Sequence, residues 1–129
     1  MEYQTTKDNN DAILLKADRT GLTQVLSNLL SNAAKFTTQG KIMVTAEKKR
    51  SQAFVRIKDT GVGILPEIMP KLFSKFATNS PSGTGLGLYI SKGIIEAHRG
   101  HISAENNIDG KGATFTFSLP IYQGAHMII

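Results

Sequence analysis

The sequence predicts an α+β fold: a two-layer α/β sandwich in which a mixed, mostly antiparallel sheet carries its helices on one face. Three observations lead there. Two segments space their apolar residues as helices do. Four segments alternate as strands do, in neighbouring pairs joined by short polar or glycine-rich turns. The chain of 129 residues is one domain's worth, long enough to bury a core without disulfides or a metal. It is too short for a full barrel or a doubly wound dinucleotide fold.

Residues 12–17 (AILLKA) read as a short strand, and the residues before them as peripheral. Asp18 stands where a helix N-cap belongs, with an oxygen for the orphan amides. From Arg19 to Phe36 the residues Leu22, Val25, Leu26, Leu29, Leu30 and Ala33 recur at helical spacing, and Gly40 breaks the pattern. Residues 41–47 alternate with Ile42, Val44 and Ala46 on one face; residues 52–59 alternate with Ala53, Val55 and Ile57; the KKRS between them makes an antiparallel hairpin. A short helix is expected over 66–73, and the rest of 60–85, rich in glycine and proline, reads as a long loop. A second helix runs from about Gly85 to Ala97 with Leu86, Ile90, Ile94 and Ala97 as its buried stripe, closed by Gly100. Strands at 101–106 (Ile102, Ala104 inward) and 112–119 (Ala113, Phe115, Phe117, Leu119 inward) finish the domain around a DGKG turn. One domain is expected over 1–129, with its core at 12–120 and a peripheral tail at 121–129.

Composition excludes several classes. The chain has no cysteine, which removes disulfide scaffolds, thiolate metal sites and thiol nucleophiles. No apolar run approaches the ~20 residues of a membrane span. The start, MEYQTTKDNNDAILL, is acidic and amide-rich, unlike a secretory signal. The expectation is a cytoplasmic domain with no membrane contact of its own, whether or not the full-length protein is membrane-anchored. A net charge of +5 suits anionic partners, or simply a solvated basic surface. The densest basic run, Lys48-Lys49-Arg50, falls at a hairpin turn with no aromatic residues interleaved, so nucleic acid is not expected as a partner.

Three constellations carry chemistry. Asn28, Asn32 and Lys35 are spaced i, i+4, i+7 and share one helical face. An amide oxygen is a hard ligand suited to magnesium and a lysine one turn on neutralises phosphate; the alternative is the plain polar face of an amphipathic helix. In Asp59-Thr60-Gly61-Val62-Gly63-Ile64, Asp59 continues the Val55, Ile57 alternation, so its carboxylate points to the apolar side and needs a partner there. A purine amino group fits, with glycines that admit a flat ring; a turn whose local amides Asp59 caps fits equally. Gly83-Thr84-Gly85-Leu86-Gly87-Leu88 opens a helix, where free amides and the helix dipole attract an anion. It is not the dinucleotide fingerprint, since no strand precedes it, and neither Gly40-Lys41-Ile42 nor Gly110-Lys111-Gly112 makes a P-loop.

In this order the motifs resemble the ATP-binding catalytic domain of sensor histidine kinases, in the GHKL (Bergerat-fold) superfamily. NLLSNAAKF (28–36) looks like the N box, DTGVGI (59–64) the first glycine box, LFSKF (72–76) the F box and GTGLGL (83–88) the second glycine box. EAHRGHISAEN and GKGATFTFSLP are similar to the closing helix and strands, so the resemblance covers 12–120. It implies a Bergerat fold with a flexible ATP lid at about 65–84, and ATP and Mg2+ as cofactors. It implies that Asp59 accepts from the adenine amino group, that Gly61, Gly63 and Ile64 line the adenine pocket, and that Asn32 ligates magnesium assisted by Asn28. Lys35 would contact phosphate, Gly85, Leu86, Gly87 and Leu88 would present backbone amides to the phosphates, and Gly83 and Thr84 would belong to the same ATP-binding loop. Lys75, between Phe73 and Phe76, would reach the γ-phosphate as a catalytic residue with Asn28, and Phe76 would adjoin the nucleotide.

Two departures bear on the activity. The second basic residue that many members carry after the F box falls at Thr78, so lid charge rests on Lys75. ATP-hydrolysing relatives carry a glutamate where this chain has Asn28, and an amide is no general base, which favours phosphoryl transfer over hydrolysis. None of His98, His101 and His126 sits in anything like a phosphoacceptor hairpin. The chain therefore reads as the catalytic half of a two-component sensor histidine kinase, a phosphotransferase. Its partners would be a dimerisation/histidine-phosphotransfer domain and, indirectly, a response regulator receiver domain. A serine kinase or ATP-operated clamp of the same superfamily is the alternative, and a basic nucleic-acid-binding module is the reading from a different class.

Overall fold

The computed structural model describes residues 2–7, 18–76 and 85–121. The expected strand at 12–17, the residues Thr78, Gly83 and Thr84, and the tail from 122 lie outside that description.

Helix α1 (Arg19–Phe36) begins as its sequence dictates: Asp18 caps it, its carboxylate accepting from the Gly21 amide at 3.1 Å. Gly21, Val25, Leu29 and Ala33 form its buried stripe, flanked by the partly buried Leu22, Leu26 and Leu30. Strands β2 (Lys41–Lys49) and β3 (Gln52–Asp59) form the expected hairpin, tightened to a two-residue turn at Arg50-Ser51. Ile42, Ala53 and Ile57 are buried on its inner face. Strands β4 (His101–Asn106) and β5 (Ala113–Pro120) follow helix α2 (Gly87–Ala97). All four inward residues expected of β5 are buried, and Phe115 and Phe117 are the largest side chains of the core.

The sheet is five-stranded and mixed, in the order β1-β2-β3-β5-β4, because Glu2–Lys7 forms an edge strand, β1, parallel to β2. The other pairings are antiparallel. From sequence alone this segment reads as peripheral, because EYQTTK has no apolar alternation to mark it as a strand and its pairing with Lys41–Ala46 is a long-range event.

Two further expectations change. The helix expected over 66–73 is a single 3-10 turn, Met69–Lys71. Pro70 has no amide hydrogen to continue an α-helical ladder, and both Ile68 N and Met69 N donate to the Leu65 carbonyl instead. In α2 the buried residues are Ser91 and Ile95, with Leu88 and Ile94 packed against the core, whereas Ala97 is exposed. The stripe is displaced because a polar residue, Ser91, occupies the contact with α1, where a hydrogen bond satisfies it. No helix among the described residues is long and apolar enough to cross a membrane.

Candidate functional site

Asp59 ends β3 and is 3% exposed. Its Oδ1 accepts from Gly61 N at 2.9 Å and from Ala113 N at 3.2 Å. Two backbone donors thus compensate the burial of one carboxylate oxygen. The chain leaves the strand in a fixed path. Gly61 lies so close to the end of α1 that a Cβ there would stand 2.0 Å from the Phe36 carbonyl oxygen, and Val62 N donates to that oxygen at 3.2 Å. Gly112, at φ 81°, packs on Asp59 from the other side, where a Cβ would meet its carbonyl oxygen at 2.0 Å. Only glycine satisfies either approach.

The first constellation borders the buried stripe of α1: Asn28 and Asn32 are half-buried and Lys35 is exposed, its Nζ 5.9 Å from the Phe36 ring centroid. Asn28 Nδ2 donates to the Gly87 carbonyl and to Ser91 Oγ, both at 3.2 Å. Gly87 opens α2. Among the described residues no side chain caps that helix and the first backbone bond runs from Ile90 N to Leu86 O, so there the amides of Gly87, Leu88 and Tyr89 precede the ladder. A helix start of this kind attracts anions. The third constellation thereby meets the first, and the Phe36–Val62 bond joins the first to the second. Asn28 and Phe36 are eight residues apart, roughly 12 Å along the helix axis.

Leu72 of the expected F box is buried, and Phe73 packs edge-to-face on Phe115 with centroids 6.3 Å apart. This docking leaves Lys75 exposed, its Nζ 5.2 Å from the ring centroid of Tyr89 in the first turn of α2. Phe76 is 68% exposed at φ 62°, and its amide donates to Gly85 O at 2.8 Å, which holds Phe76 against the residue two before α2.

Sequence reasoning missed a polar clamp. Asn106 pairs in both directions with Ile64, accepting from its amide at 2.7 Å and donating to its carbonyl at 2.9 Å. Asn107 Nδ2 donates to the Asp59 carbonyl at 2.9 Å and to Lys111 O at 2.7 Å, while its Oδ1 accepts from the Thr114 hydroxyl at 2.6 Å. The available signal was a pair of asparagines before a glycine-rich turn, residues that bond readily to backbone. His98 has a structural task. Its Nε2 accepts from Asp18 N at 3.0 Å, so its proton sits on Nδ1, 2.8 Å from the Ile94 carbonyl.

Among the described residues no three His, Cys, Asp or Glu side chains group as a metal site. The Asn28 carboxamide stands beside the α2 start as a neutral donor group, and Asn32 lies one turn further along α1. A set this sparse fits magnesium, which keeps waters and takes substrate phosphates rather than an all-protein cage.

Residues 17–123 match the model of the histidine kinase-, DNA gyrase B- and HSP90-like ATPases. The sensor protein SrrB of Staphylococcus aureus is 42% identical over 80% of this chain and 19% of its own length, so the chain spans about a fifth of the curated relatives it matches. The nucleotide-free catalytic domain of histidine kinase ThkA superposes with a TM-score of 0.81 at 40% identity, covering 92% of this chain and 78% of that one. ThkA in complex with the response regulator protein TrrA aligns at a TM-score of 0.75, 36% identity and 93% of this chain, but 34% of the kinase. Full-length ShkA in complex with AMPPNP gives a TM-score of 0.82 at 30% identity, covering 93% of this chain and 25% of ShkA.

Proposed function

The chain belongs to the family of histidine kinase-, DNA gyrase B- and HSP90-like ATPases, and from that premise we propose that it is the ATP-binding catalytic domain of a two-component sensor histidine kinase. The observation that carries the reading is the double attachment of α1: Phe36 holds the Asp59 loop and Asn28 holds the start of α2. The interval between them suits an extended nucleoside triphosphate.

Adenine lies against Gly61, Gly63 and Ile64 and donates its amino hydrogen to Asp59 Oδ2, since Oδ1 is occupied by two amides. The amides of Gly87 and Leu88 and the Lys35 ammonium face the phosphates. Asn32 and Asn28 hold Mg2+, which neutralises polyphosphate charge when bound. Lys75 approaches the γ-phosphate from beside Tyr89. An imidazole nitrogen of a separate dimerisation/phosphotransfer domain attacks the γ-phosphorus in line: a P–N bond forms, the bond to the bridging oxygen breaks and ADP leaves. The chain supplies alignment and charge rather than a covalent intermediate. Asn28 cannot take a proton from water, which keeps hydrolysis slow. A response regulator then receives the phosphoryl group, and the domain works on the cytoplasmic side.

The test supplies γ-labelled ATP and Mg2+ to the chain together with a histidine-bearing dimerisation domain. Acid-labile label on the partner supports the reading. Acid-stable label, or phosphate release as fast without the partner, contradicts it.

A further inference from the structure

We propose that Ser91 is a positioning residue for Asn28, restricting the direction in which that carboxamide presents its oxygen to the divalent cation. The inference rests on the magnesium reading above and adds a residue that touches neither nucleotide nor metal.

Ser91 sits in the middle of α2 at 0% exposure, facing α1. A residue at such a crossing must be small. Alanine would meet that need, is the better helix former, and buries no polar atom. Serine there is disfavoured unless its oxygen is satisfied, and it is: Asn28 Nδ2 lies 3.2 Å from Ser91 Oγ. The second contact of Nδ2, 3.2 Å from the Gly87 carbonyl, settles the orientation. That oxygen only accepts, so the NH2 end of Asn28 must face α2, and both its hydrogens are used there. Asn28 Oδ1, which lies 4.0 Å from where a Cβ on Gly87 would stand, accepts no hydrogen bond among the described residues and is the end of the carboxamide left for a cation. A carboxamide held by one bond still swings about χ2; held by two, it presents its oxygen in one direction. The bond therefore contributes to metal affinity without any contact with the metal.

The experiment measures ATP affinity of the 129-residue chain calorimetrically, once in EDTA and once in excess Mg2+, and takes the ratio as the magnesium enhancement. Ser91→Ala is expected to lower that enhancement roughly fivefold, the equivalent of about 1 kcal/mol for one hydrogen bond. Affinity in EDTA stays at the wild-type value. In an Asn28→Ala background the same substitution is expected to change the enhancement no further. Equal losses with and without Mg2+, or a loss that persists without the Asn28 side chain, overturn the inference and leave the nucleotide reading standing. An enhancement that survives Asn28→Ala sinks the magnesium role of Asn28 and this inference together. Should Ser91→Ala not fold, Ser91→Cys fills the position with a somewhat larger group and weakens the acceptor: reduced enhancement supports the proposal and full enhancement overturns it.

Discussion

Replacing Asp59 with asparagine separates ligand recognition from folding. Oδ1 of Asp59 accepts two backbone amides, Gly61 N at 2.9 Å and Ala113 N at 3.2 Å. Asparagine retains one acceptor oxygen, and those donors oblige it to point inward. The NH2 end then replaces Oδ2 and meets the adenine amino group donor to donor. A hydrogen bond to a charged acceptor contributes about 2 kcal/mol, so Asp59→Asn should weaken Mg-ATP binding roughly 30-fold. Folding is largely preserved, because both backbone bonds persist. Asp59→Ala behaves differently: it strands two amides in a site where the native residue is 3% exposed, costing about 1–3 kcal/mol for each. Calorimetric titration of Mg-ATP gives the first effect, and urea unfolding of all three proteins gives the second. Equal ATP affinity in Asp59→Asn and wild type would refute the adenine contact. Equal destabilisation by asparagine and alanine would refute the anchoring argument.

Two glycines should respond in opposite ways. At Gly61 an added Cβ lies 2.0 Å from the Phe36 carbonyl, so Gly61→Ala is expected to destabilise the fold by about 3 kcal/mol in urea unfolding. At Gly87 a Cβ meets nothing nearer than 3.7 Å, so Gly87→Ala is expected to stabilise by about 0.5–1 kcal/mol while weakening Mg-ATP binding, because the methyl stands against the Asn28 carboxamide. Lys75→Ala is expected to reduce affinity for ATP while sparing ADP, read by paired calorimetric titrations. His98→Ala removes the acceptor for Asp18 N and the donor to Ile94 O, and a loss of about 1 kcal/mol in unfolding free energy is expected.

Much of this architecture is legible residue by residue because local chemistry and the fold agree. The β2–β3 hairpin shows in its alternation, and Asp59 stands out as the polar residue continuing an apolar face to a strand end. Asp18 and α1 follow from capping and helical spacing. The failures share a cause: they depend on partners remote in sequence. β1 is polar and gains its strand character from β2. Ser91 looks like a surface residue until Asn28 is brought against it, so the buried stripe of α2 runs through Ser91 and Ile95 rather than through the apolar spacing. Asn106 and Asn107 reach back to Ile64 and Asp59 across more than forty residues. The helix expected over 66–73 contracts to one 3-10 turn because Pro70 has no amide hydrogen to give. The three constellations were readable as motifs, but not their convergence on α1, since bonds such as Phe36–Val62 and Asn28–Gly87 are tertiary.

The central claim is that α1 braces the two ends of one nucleotide site. Amide NMR of the chain titrated with AMPPNP and Mg2+ tests it most directly. Saturable shifts are expected at Gly61 and Ile64 together with Gly87 and Leu88, at one common dissociation constant, with the second pair weakened by chelating the metal. Shifts confined to one end, different constants at the two ends, or no binding would contradict it.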